Sequence, residues 1–563
     1  MIKRPISIYI NWAAYDELSD AVELDETIAM RQMDELLRLR SIGINFDYYL
    51  MDAFWYARDG AYRTWRTPHW PQGPDRWIET CLANGIKPGL WLAGNALAKL
   101  EVAQAWQRSV NTDQSAMCLF YGGFFPDLLE AMRGWYQRGV RLFKFDFMNL
   151  NAGAPAVETG MLPLEIRAQN IAALRAGLKA FRQECPEVVL IGYNGFEETE
   201  TQNRTDAPFR KTVDPAWLET FDSLYCGDPR PADVPAMAFW RSKDIYTDHM
   251  VRVYERNGFP LQRIDNAGFM IGTTGTCYYR GTAAWQGMLI LSLARGGWVN
   301  TYYGNLDLLD DEKARWFARV QALFTPFKLF GHTSTFGAMP GQARPYGYLT
   351  ELPDGALITL VNPSQSVQTI DLPPLEMGQL PMRLLFHDAG FQPGLTRSQI
   401  SLGPEQMALV GAGAYANQVY DLGIQVDVVI PAEIEPIPVE FNPVDEDHGS
   451  RSIGATLTTP ASGVLRIILR QHDPSGRVRR TTGGAPPAGI SLGSLLSISV
   501  EQAGESIPVT INYDKAIWSG LSWAVGEAPI GEKLKPGLPV TIRCASTEPE
   551  RVLLSGEVYR VIY

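Results

Sequence analysis

The sequence lacks the features that define several large protein classes. Its six cysteines include no C-x-x-C pair and its six histidines show no metal-ligand spacing, so neither a disulfide framework nor a zinc site is predicted. No segment approaches 18 uninterrupted apolar residues, which argues against a membrane-spanning helix. No long apolar region with a cleavage site precedes the first structured run, so the chain as given is expected to be cytoplasmic.

Nucleotide-binding and nucleophile-elbow motifs are also missing. The stretch Gly272–Gly275 has neither the lysine of a phosphate-binding loop nor the glycine pattern of a dinucleotide site, and no serine stands in a nucleophile elbow. The net charge of -12 disfavours a nucleic-acid partner, because phosphate binding needs a concentrated basic surface. We therefore expect no cofactor, no metal and no membrane partner, whereas homo-oligomerisation stays open.

The composition is that of a large globular protein rich in aromatic residues. At 563 residues the chain exceeds one ordinary domain, so two or three domains are expected. Hydrophobic residues make up 46% of the chain and charged residues 20%, as in soluble proteins. The 15 tryptophans and 23 tyrosines hint at sugar binding, since aromatic faces hold sugar rings, although most of them will be core residues.

Short apolar runs alternate with amphipathic helical stretches in residues 1–335, which is typical of a parallel sheet built from βα units. Gly43, Gly85 and Gly139 each fall between a helical stretch and the next strand, where a left-handed C-cap residue is favoured. Eight strands with helices in this length predict a (β/α)8 barrel, or TIM barrel. The predicted strands are residues 6–12, 46–52, 87–92, 142–146, 188–191, 223–226, 261–264 and 298–302.

The rest of the chain has a β-rich pattern. Residues 336–425 contain short apolar runs broken by proline and glycine turns, which predict an antiparallel β-domain. Residues 426–563 contain further runs with no helical pattern, which predict a C-terminal antiparallel β-sandwich. The expected architecture is therefore a barrel followed by two β-domains.

The fourth predicted strand carries two charged residues, Lys144 and Asp146. Residues two apart on a strand share a face, so both side chains are expected to point the same way. Because an unpaired buried charge is costly, the pair is expected at a strand end that opens into a polar site. A buried structural ion pair is the alternative interpretation.

Polar residues stand at or just beyond most other predicted strand ends as well. Barrel active sites lie at the C-terminal ends of the strands, so acidic residues at four of these ends favour an enzymatic site. Two carboxylates across a barrel mouth can split a glycosidic bond, one as nucleophile and one as acid/base. The polar strand-end residues are Asn11, Trp12, Asp52, Asn95, Asp146, Tyr193, Asn194, Asp228 and Asp265.

These motifs resemble clan D of the glycoside hydrolases, which comprises α-galactosidase families 27 and 36 and raffinose-synthase-like proteins, over roughly residues 1–330. Lys144-Phe-Asp146 matches their fourth-strand Lys-x-Asp, whose Asp is the nucleophile. Met51–Trp55 keeps one Asp and the Trp of a second-strand Asp-Asp-Gly-Trp pattern that holds sugar hydroxyls, and lacks the other Asp and the Gly. Pro71-Gln-Gly73, Gly89-Leu-Trp91 and a shortened Asn11-Trp12 also fit the family pattern.

Three aspartates compete for the role of acid/base, which the resemblance places just past the sixth strand. Asp228 ranks first because it stands at the predicted strand end, and Asp233, which follows Arg230, ranks second. Asp244 lies in a Trp-Arg…Asp-Ile string like that of family 27, but inside the predicted helix Pro235–Arg256. We interpret Asp244 as part of a solvated helix face directed away from the barrel mouth.

The resemblance also implies substrate-binding residues. Asp265 matches in position a seventh-strand Asp of the raffinose-synthase-like proteins, with a loop or capping role as the alternative. Trp12, Trp55 and Trp91 are interpreted as sugar platforms, with ordinary core packing as the alternative. The predicted substrate-binding set is Trp12, Asp52, Trp55, Trp91, Lys144, Asn194, Arg230, Asp233 and Asp265.

The sequence therefore favours a retaining α-glycoside hydrolase of α-galactosidase type that acts on an oligosaccharide or glycoside. Asp146 would be the nucleophile, and Lys144 would favour its ionised form and could donate to a sugar hydroxyl. Asp228 would be the acid/base. Two alternatives stay open: transglycosylation on the same intermediate, and carbohydrate binding without catalysis.

Overall fold

The computed structural model describes residues 4–12, 24–52, 55–98, 100–192, 214–226, 239–266, 268–272, 284–444, 451–472, 496–513, 523–547 and 552–563. In this part of the chain the helices are α1 (Glu26–Ile42), α2 (Asp75–Ala83), α3 (Phe124–Gln137), α4 (Pro155–Glu158), α5 (Pro163–Glu184), α6 (Phe239–Arg256), α7 (Trp285–Ala294) and α8 (Asp311–Phe330). No helix in these ranges is long and apolar enough to cross a lipid bilayer.

The first part of the chain forms a sheet of nine parallel strands. Their order is β7-β6-β5-β4-β3-β2-β1-β9-β8, so the two ends of the sheet are neighbours in the sequence. Thr301 on β9, the neighbour of β8, donates to Asp265 on β7 with Oγ1 3.2 Å from Oδ1, which brings the two edges of the sheet together. The predicted TIM barrel is confirmed. The strands are β1 (Ile6–Ile10), β2 (Tyr48–Met51), β3 (Lys87–Leu92), β4 (Leu142–Phe145), β5 (Val189–Gly192), β6 (Ser223–Tyr225), β7 (Ile264–Asp265), β8 (Phe269–Ile271) and β9 (Val299–Gly304).

Local sequence signals explain where several barrel elements begin and end. α1 starts at Asp25, whose side chain accepts a hydrogen bond from the Ile28 backbone N–H at 2.8 Å. Gly43, Gly85 and Gly139 have φ angles of 112°, 66° and 110°, as expected for left-handed caps. The seventh predicted strand differs, because residues 261–263 form a 3-10 turn and the strand begins only at Ile264.

A six-stranded and a three-stranded sheet follow the barrel. The larger sheet has the order β10-β11-β12-β17-β14-β18 and is antiparallel except for the parallel pair β14 and β18. The smaller sheet has the order β13-β16-β15. The strands are β10 (His332–Gly337), β11 (Tyr346–Leu352), β12 (Gly355–Val361), β13 (Gln368–Asp371), β14 (Met382–Ala389), β15 (Gly394–Leu395), β16 (Gln399–Leu402), β17 (Met407–Gly413) and β18 (Gly423–Val429). The predicted boundary at residue 425 falls inside β18.

Two five-stranded antiparallel sheets complete the chain, in the orders β19-β28-β22-β26-β25 and β20-β21-β27-β23-β24. Leu465 and Ile467 from the first sheet share a buried core with Ile498 and Ile542 from the second, which makes this region a sandwich. The strands are β19 (Glu433–Ile437), β20 (Asn442–Val444), β21 (Arg451–Thr458), β22 (Val464–His472), β23 (Leu496–Gln502), β24 (Glu505–Ile507), β25 (Thr510–Tyr513), β26 (Trp523–Pro529), β27 (Pro539–Ser546) and β28 (Leu553–Ile562).

Buried ion pairs join the barrel to the six-stranded sheet. Arg241 on α6 contacts Asp388 on β14 with Nη2 2.9 Å from Oδ2, and both side chains are fully buried. Asp248, also on α6, accepts hydrogen bonds from the hydroxyls of Tyr346 at 2.6 Å and Tyr348 at 2.8 Å. α6 is therefore covered by the β-domain.

Candidate active site

Asp146 stands directly after β4, at the C-terminal end of the barrel. Its backbone N–H donates to the Leu92 carbonyl at 2.9 Å, which continues the pairing of β3 and β4. The Trp91 indole Nε1 lies 3.1 Å from Asp146 Oδ2, and the Phe147 backbone N–H lies 2.8 Å from Oδ1. A donor thus orients each carboxylate oxygen, while the half-buried side chain still reaches the barrel mouth.

Lys144 lies on the same strand, beneath Asp146, and is buried. Its Nζ donates to Asp52 Oδ2 at 3.1 Å, and the Asp52 backbone N–H donates to Asn11 Oδ1 at 2.7 Å. Burial lowers the pKa of Lys144, but attraction to Asp52, Tyr303 and Asp146 outweighs it and raises the pKa above the ordinary lysine value. The ammonium group is therefore charged at neutral pH and interacts with two carboxylates.

Alternate strands contribute the polar residues around Lys144. In a TIM barrel, each interior layer is built from every second strand. Tyr225 on β6, Tyr303 on β9 and Asp52 after β2 accordingly accompany Lys144, whose Nζ lies 5.2 Å from the centre of the Tyr225 ring. The upper layer of the barrel interior is thus polar and contiguous with the candidate nucleophile.

Asp265 lies on β7 and is fully buried in the barrel wall. It accepts a hydrogen bond from Thr301. Its charge acts on Tyr303, together with those of Lys144 and Asp52. Asp265 is therefore a buried strand residue close to the predicted site and not a loop residue, and its role in substrate binding stays a prediction.

The sugar-platform interpretation is wrong for two of the three tryptophans. Trp55 and Trp91 are each 1% exposed, so neither ring has a free face. Trp55 donates through Nε1 to the Trp91 carbonyl at 2.8 Å and packs in a cluster of aromatic side chains. Trp91 instead positions Asp146 through its indole N–H. Trp12 is half-buried and packs against the barrel core. The cluster around Trp55 contains Tyr56, Tyr62, Trp65 and Trp135.

Phe147 is a site residue that the sequence analysis missed. It has a φ angle of 45°, in the left-handed region that bulky residues avoid, and its side chain is 41% exposed. Its ring meets Trp91 edge-on with centroids 5.7 Å apart. Strained backbone is often found at functional sites, and here the strain directs the Phe147 N–H at Asp146. The one sequence signal is its position next to the candidate nucleophile, Asp146.

Asp244 is not on a solvated face. The predicted helix is present as α6, but Asp244 is 1% exposed and lies 3.8 Å from Arg241 and 3.4 Å from Arg295. Arg295 immediately follows α7 and precedes β9, on the side of the barrel opposite Asp146. The prediction was wrong because the helix face that carries Asp244 is covered in the folded chain.

The remaining predicted residues, Asn194, Asp228, Arg230 and Asp233, lie outside the described residues, as does Tyr193. Their assignment as acid/base and substrate-binding residues stays a prediction. Within the described ranges, no group of three or more histidine, cysteine, aspartate or glutamate side chains is arranged to hold a metal ion.

Comparison with known proteins identifies the fold through solved structures. No protein-family model and no curated protein matches the sequence. The chain is similar to a variant of the family 36 α-galactosidase AgaA from Geobacillus stearothermophilus in complex with 1-deoxygalactonojirimycin, with a TM-score of 0.52 and 12% identity, over 73% of this chain and 55% of that one. The α-galactosidase from Lactobacillus brevis gives the same four values.

The galactosidase domain of the α-galactosidase-sucrose kinase AgaSK is similar as well, with a TM-score of 0.50 and 14% identity over 73% of this chain and 55% of that chain. The chain therefore spans just over half the length of the solved structures that it matches. These similarities show that the chain has the fold of the matched part of clan D glycoside hydrolases.

Proposed function

We propose that this protein is a retaining α-glycoside hydrolase of α-galactosidase type. The observation that carries the proposal is the geometry of Asp146, a carboxylate at a barrel strand end, oriented by Trp91 and Phe147 and accompanied by a buried lysine. The fold shared with α-galactosidases supports the same assignment. Relatives crystallised with raffinose and stachyose support an α-linked oligosaccharide as the substrate class.

The first step would form a glycosyl-enzyme. An Asp146 oxygen attacks the anomeric carbon, the bond from that carbon to the leaving oxygen breaks, and the acid/base gives its proton to the leaving oxygen. Asp228 is our candidate for the acid/base, with Asp233 as the second choice. Retention requires the two carboxyl groups to lie about 5–5.5 Å apart.

The second step would release the sugar. The acid/base, now ionised, takes a proton from water, the water oxygen attacks the anomeric carbon, and the bond to Asp146 breaks. Lys144 helps both steps because its positive charge favours the ionised form of Asp146, which is the attacking and leaving group. A sugar hydroxyl in place of water would give transglycosylation, and product analysis separates the two reactions.

The test is covalent labelling of the full chain. Cyclophellitol-type inactivators of α-galacto and α-gluco configuration are incubated with the protein, followed by intact mass measurement and peptide mapping. We expect a single label on Asp146 from one inactivator and none in Asp146→Asn. Asp47→Asn, at the opposite end of the barrel, should still be labelled.

Each other result has a defined meaning. Labelling or full turnover by Asp146→Asn would show that the nucleophile lies elsewhere. Sugar binding by the wild type without any label or turnover would support the carbohydrate-binding alternative. The inactivator that reacts identifies the configuration of the sugar.

A further inference from the structure

Tyr303 has a buried hydroxyl group without a hydrogen-bond partner in the part of the barrel that the structure describes. The residue lies near the C-terminal end of β9, in register with Ile10 on β1, and is 1% exposed. Among the described residues, nothing meets hydrogen-bond geometry with its hydroxyl oxygen. Thr301, two residues earlier on the same face, contacts Tyr303, but its hydroxyl donates to Asp265.

The neighbouring Tyr302 shows what a structural tyrosine looks like in the same strand. Successive residues on a strand point to opposite faces. The Tyr302 hydroxyl, which points to the other face, accepts a hydrogen bond from Gln321 Nε2 at 3.2 Å. Both rings are buried, so the contrast between the two hydroxyl groups does not come from exposure.

The surroundings of Tyr303 are those of the candidate site. Lys144, Asp265 and Asp52 all act on it electrostatically. Burial raises the pKa of Tyr303 well above the ordinary tyrosine value, and Lys144 only partly opposes this effect. Tyr303 is therefore a neutral hydrogen-bond donor within the polar layer beneath Asp146.

An unpartnered hydroxyl has an energetic consequence. A buried polar group that loses its hydrogen bonds to water and gains none costs stability, and phenylalanine would fill the same space without that cost. Groups that lower stability in the free protein are often kept for function. A hydroxyl-rich ligand at the barrel mouth would supply the missing partner.

We propose that the Tyr303 hydroxyl is a substrate contact that donates a hydrogen bond to a ring hydroxyl of the sugar bonded to Asp146. This inference rests on the proposed function, because it takes the occupant of the polar layer to be a sugar. Tyr303 thereby becomes a specificity-determining residue, since a sugar without that hydroxyl leaves the phenol unpartnered.

The experiment compares Tyr303→Phe with Tyr302→Phe as the matched control. The substrates are p-nitrophenyl α-galactoside and α-glucoside and their 2-, 3-, 4- and 6-deoxy derivatives. Tyr303→Phe should lower kcat/KM for the better parent glycoside about 10- to 100-fold, the range for a lost hydrogen bond to substrate. One deoxy derivative alone should behave differently, because it lacks the hydroxyl that Tyr303 binds. With that derivative, the kcat/KM of Tyr303→Phe should lie within about twofold of the wild-type value.

A stability measurement separates this role from a structural one. Tyr303→Phe should keep or raise the Tm, because it removes an unpartnered group, whereas Tyr302→Phe loses a hydrogen bond and should lower the Tm with little change in kcat/KM. Unchanged kcat/KM in Tyr303→Phe, or equal loss on every deoxy derivative, would overturn the proposal.

Failure of the proposed function gives a different pattern. If the wild type binds galactose or glucose in calorimetry without turnover or labelling, only catalysis fails, and Tyr303→Phe must then weaken that binding about tenfold or more. Unchanged binding would overturn the Tyr303 contact. A wild type that neither binds nor turns over any of these sugars would overturn both.

Discussion

Two groups of buried charges in this molecule differ in how completely they are paired. The mouth cluster consists of Asp52, Lys144, Asp146 and Tyr303. The junction cluster joins the barrel to the β-domain and consists of Arg241, Lys243, Asp244, Asp248, Arg295 and Asp388. The junction cluster has three cations for three carboxylates, whereas the mouth cluster has one cation for two carboxylates.

The hydrogen bonds differ at individual groups, although Arg241 Nε and Nη1 and Arg295 Nη1 of the junction cluster also have no hydrogen-bond partner among the described residues. In the junction cluster, Asp388 accepts from Arg241 at 2.9 Å, from Gln425 at 2.6 Å and from the Met407 backbone at 2.8 Å. In the mouth cluster, the Tyr303 hydroxyl has no partner among the described residues and Asp146 is half-buried. A charge-balanced cluster can hold two domains together, and an incomplete one can bind a ligand.

The largest effect on stability is expected from breaking the junction cluster. Asp388→Asn removes the nearest counter-ion of the buried Arg241 and leaves only Asp244, at 3.8 Å, which should lower the free energy of unfolding by about 3–5 kcal/mol. Urea denaturation measures this change. Glu184→Gln, which breaks an exposed pair with Arg133, is the control and should leave the unfolding midpoint unchanged.

If the clusters have the separate roles that we propose, kcat/KM per folded molecule of Asp388→Asn should stay within a few-fold of wild type. Replacing both partners, as in Arg241→Met with Asp388→Leu, should recover part of the lost stability, because an apolar pair can replace a buried ion pair. A large loss of turnover in folded Asp388→Asn would mean that the junction cluster also supports the site.

The second effect concerns pH. Burial lowers the pKa of Lys243 from 10.5 to about 8, since the attraction to Asp244 and Asp248 does not offset it. Between these values the unfolded chain binds the proton and the folded chain does not, so stability rises with pH across this window. Between pH 8 and 10.5, the free energy of unfolding of the wild type should rise by about 3 kcal/mol more than that of Lys243→Met.

Urea denaturation at several pH values measures this slope. Lys179→Met, a change at an exposed position on α5, is the control and should keep the wild-type slope. Equal slopes for wild type and Lys243→Met would show that the Lys243 ammonium keeps its proton throughout this window.

The smallest effect is expected from one hydrogen bond in the mouth cluster. Trp91→Phe removes the indole donor to Asp146 and should lower kcat/KM about tenfold, as for loss of roughly 1–1.5 kcal/mol. Trp106→Phe removes a comparable indole bond of 2.9 Å to Asp127, a carboxylate outside the mouth cluster. Equal losses of activity in the two variants would assign the effect of Trp91 to packing alone.

Several features of the site could be read from sequence because they depend on local geometry. Lys144 and Asp146 are two residues apart on a strand, so their shared face follows from strand alternation alone. The caps at Gly43, Gly85 and Gly139 were equally local. The same alternation on β9 predicts that Tyr302 and Tyr303 point to opposite faces of the sheet. It does not predict which of the two hydroxyl groups has a hydrogen-bond partner.

The wrong interpretations of Trp55 and Asp244 concern burial by other parts of the chain. Trp55 was interpreted as a sugar platform, but Trp65 and Trp135 cover its ring. Asp244 was interpreted as solvated, but α6 lies beneath strands that begin about ninety residues later. Neither neighbour can be inferred from the residues around the site.

The sequence by itself determined the barrel pattern with eight of its nine strands, all but β8, the β-rich second half and the strand end that carries Asp146, because periodicity and capping act over a few residues. Only the tertiary structure decided that Lys144 pairs with Asp52, 92 positions away, and that Tyr303 lies beside them with no hydrogen-bond partner for its hydroxyl among the described residues. Those contacts depend on strand order and register, which bring residues from β2, β4 and β9 into one layer.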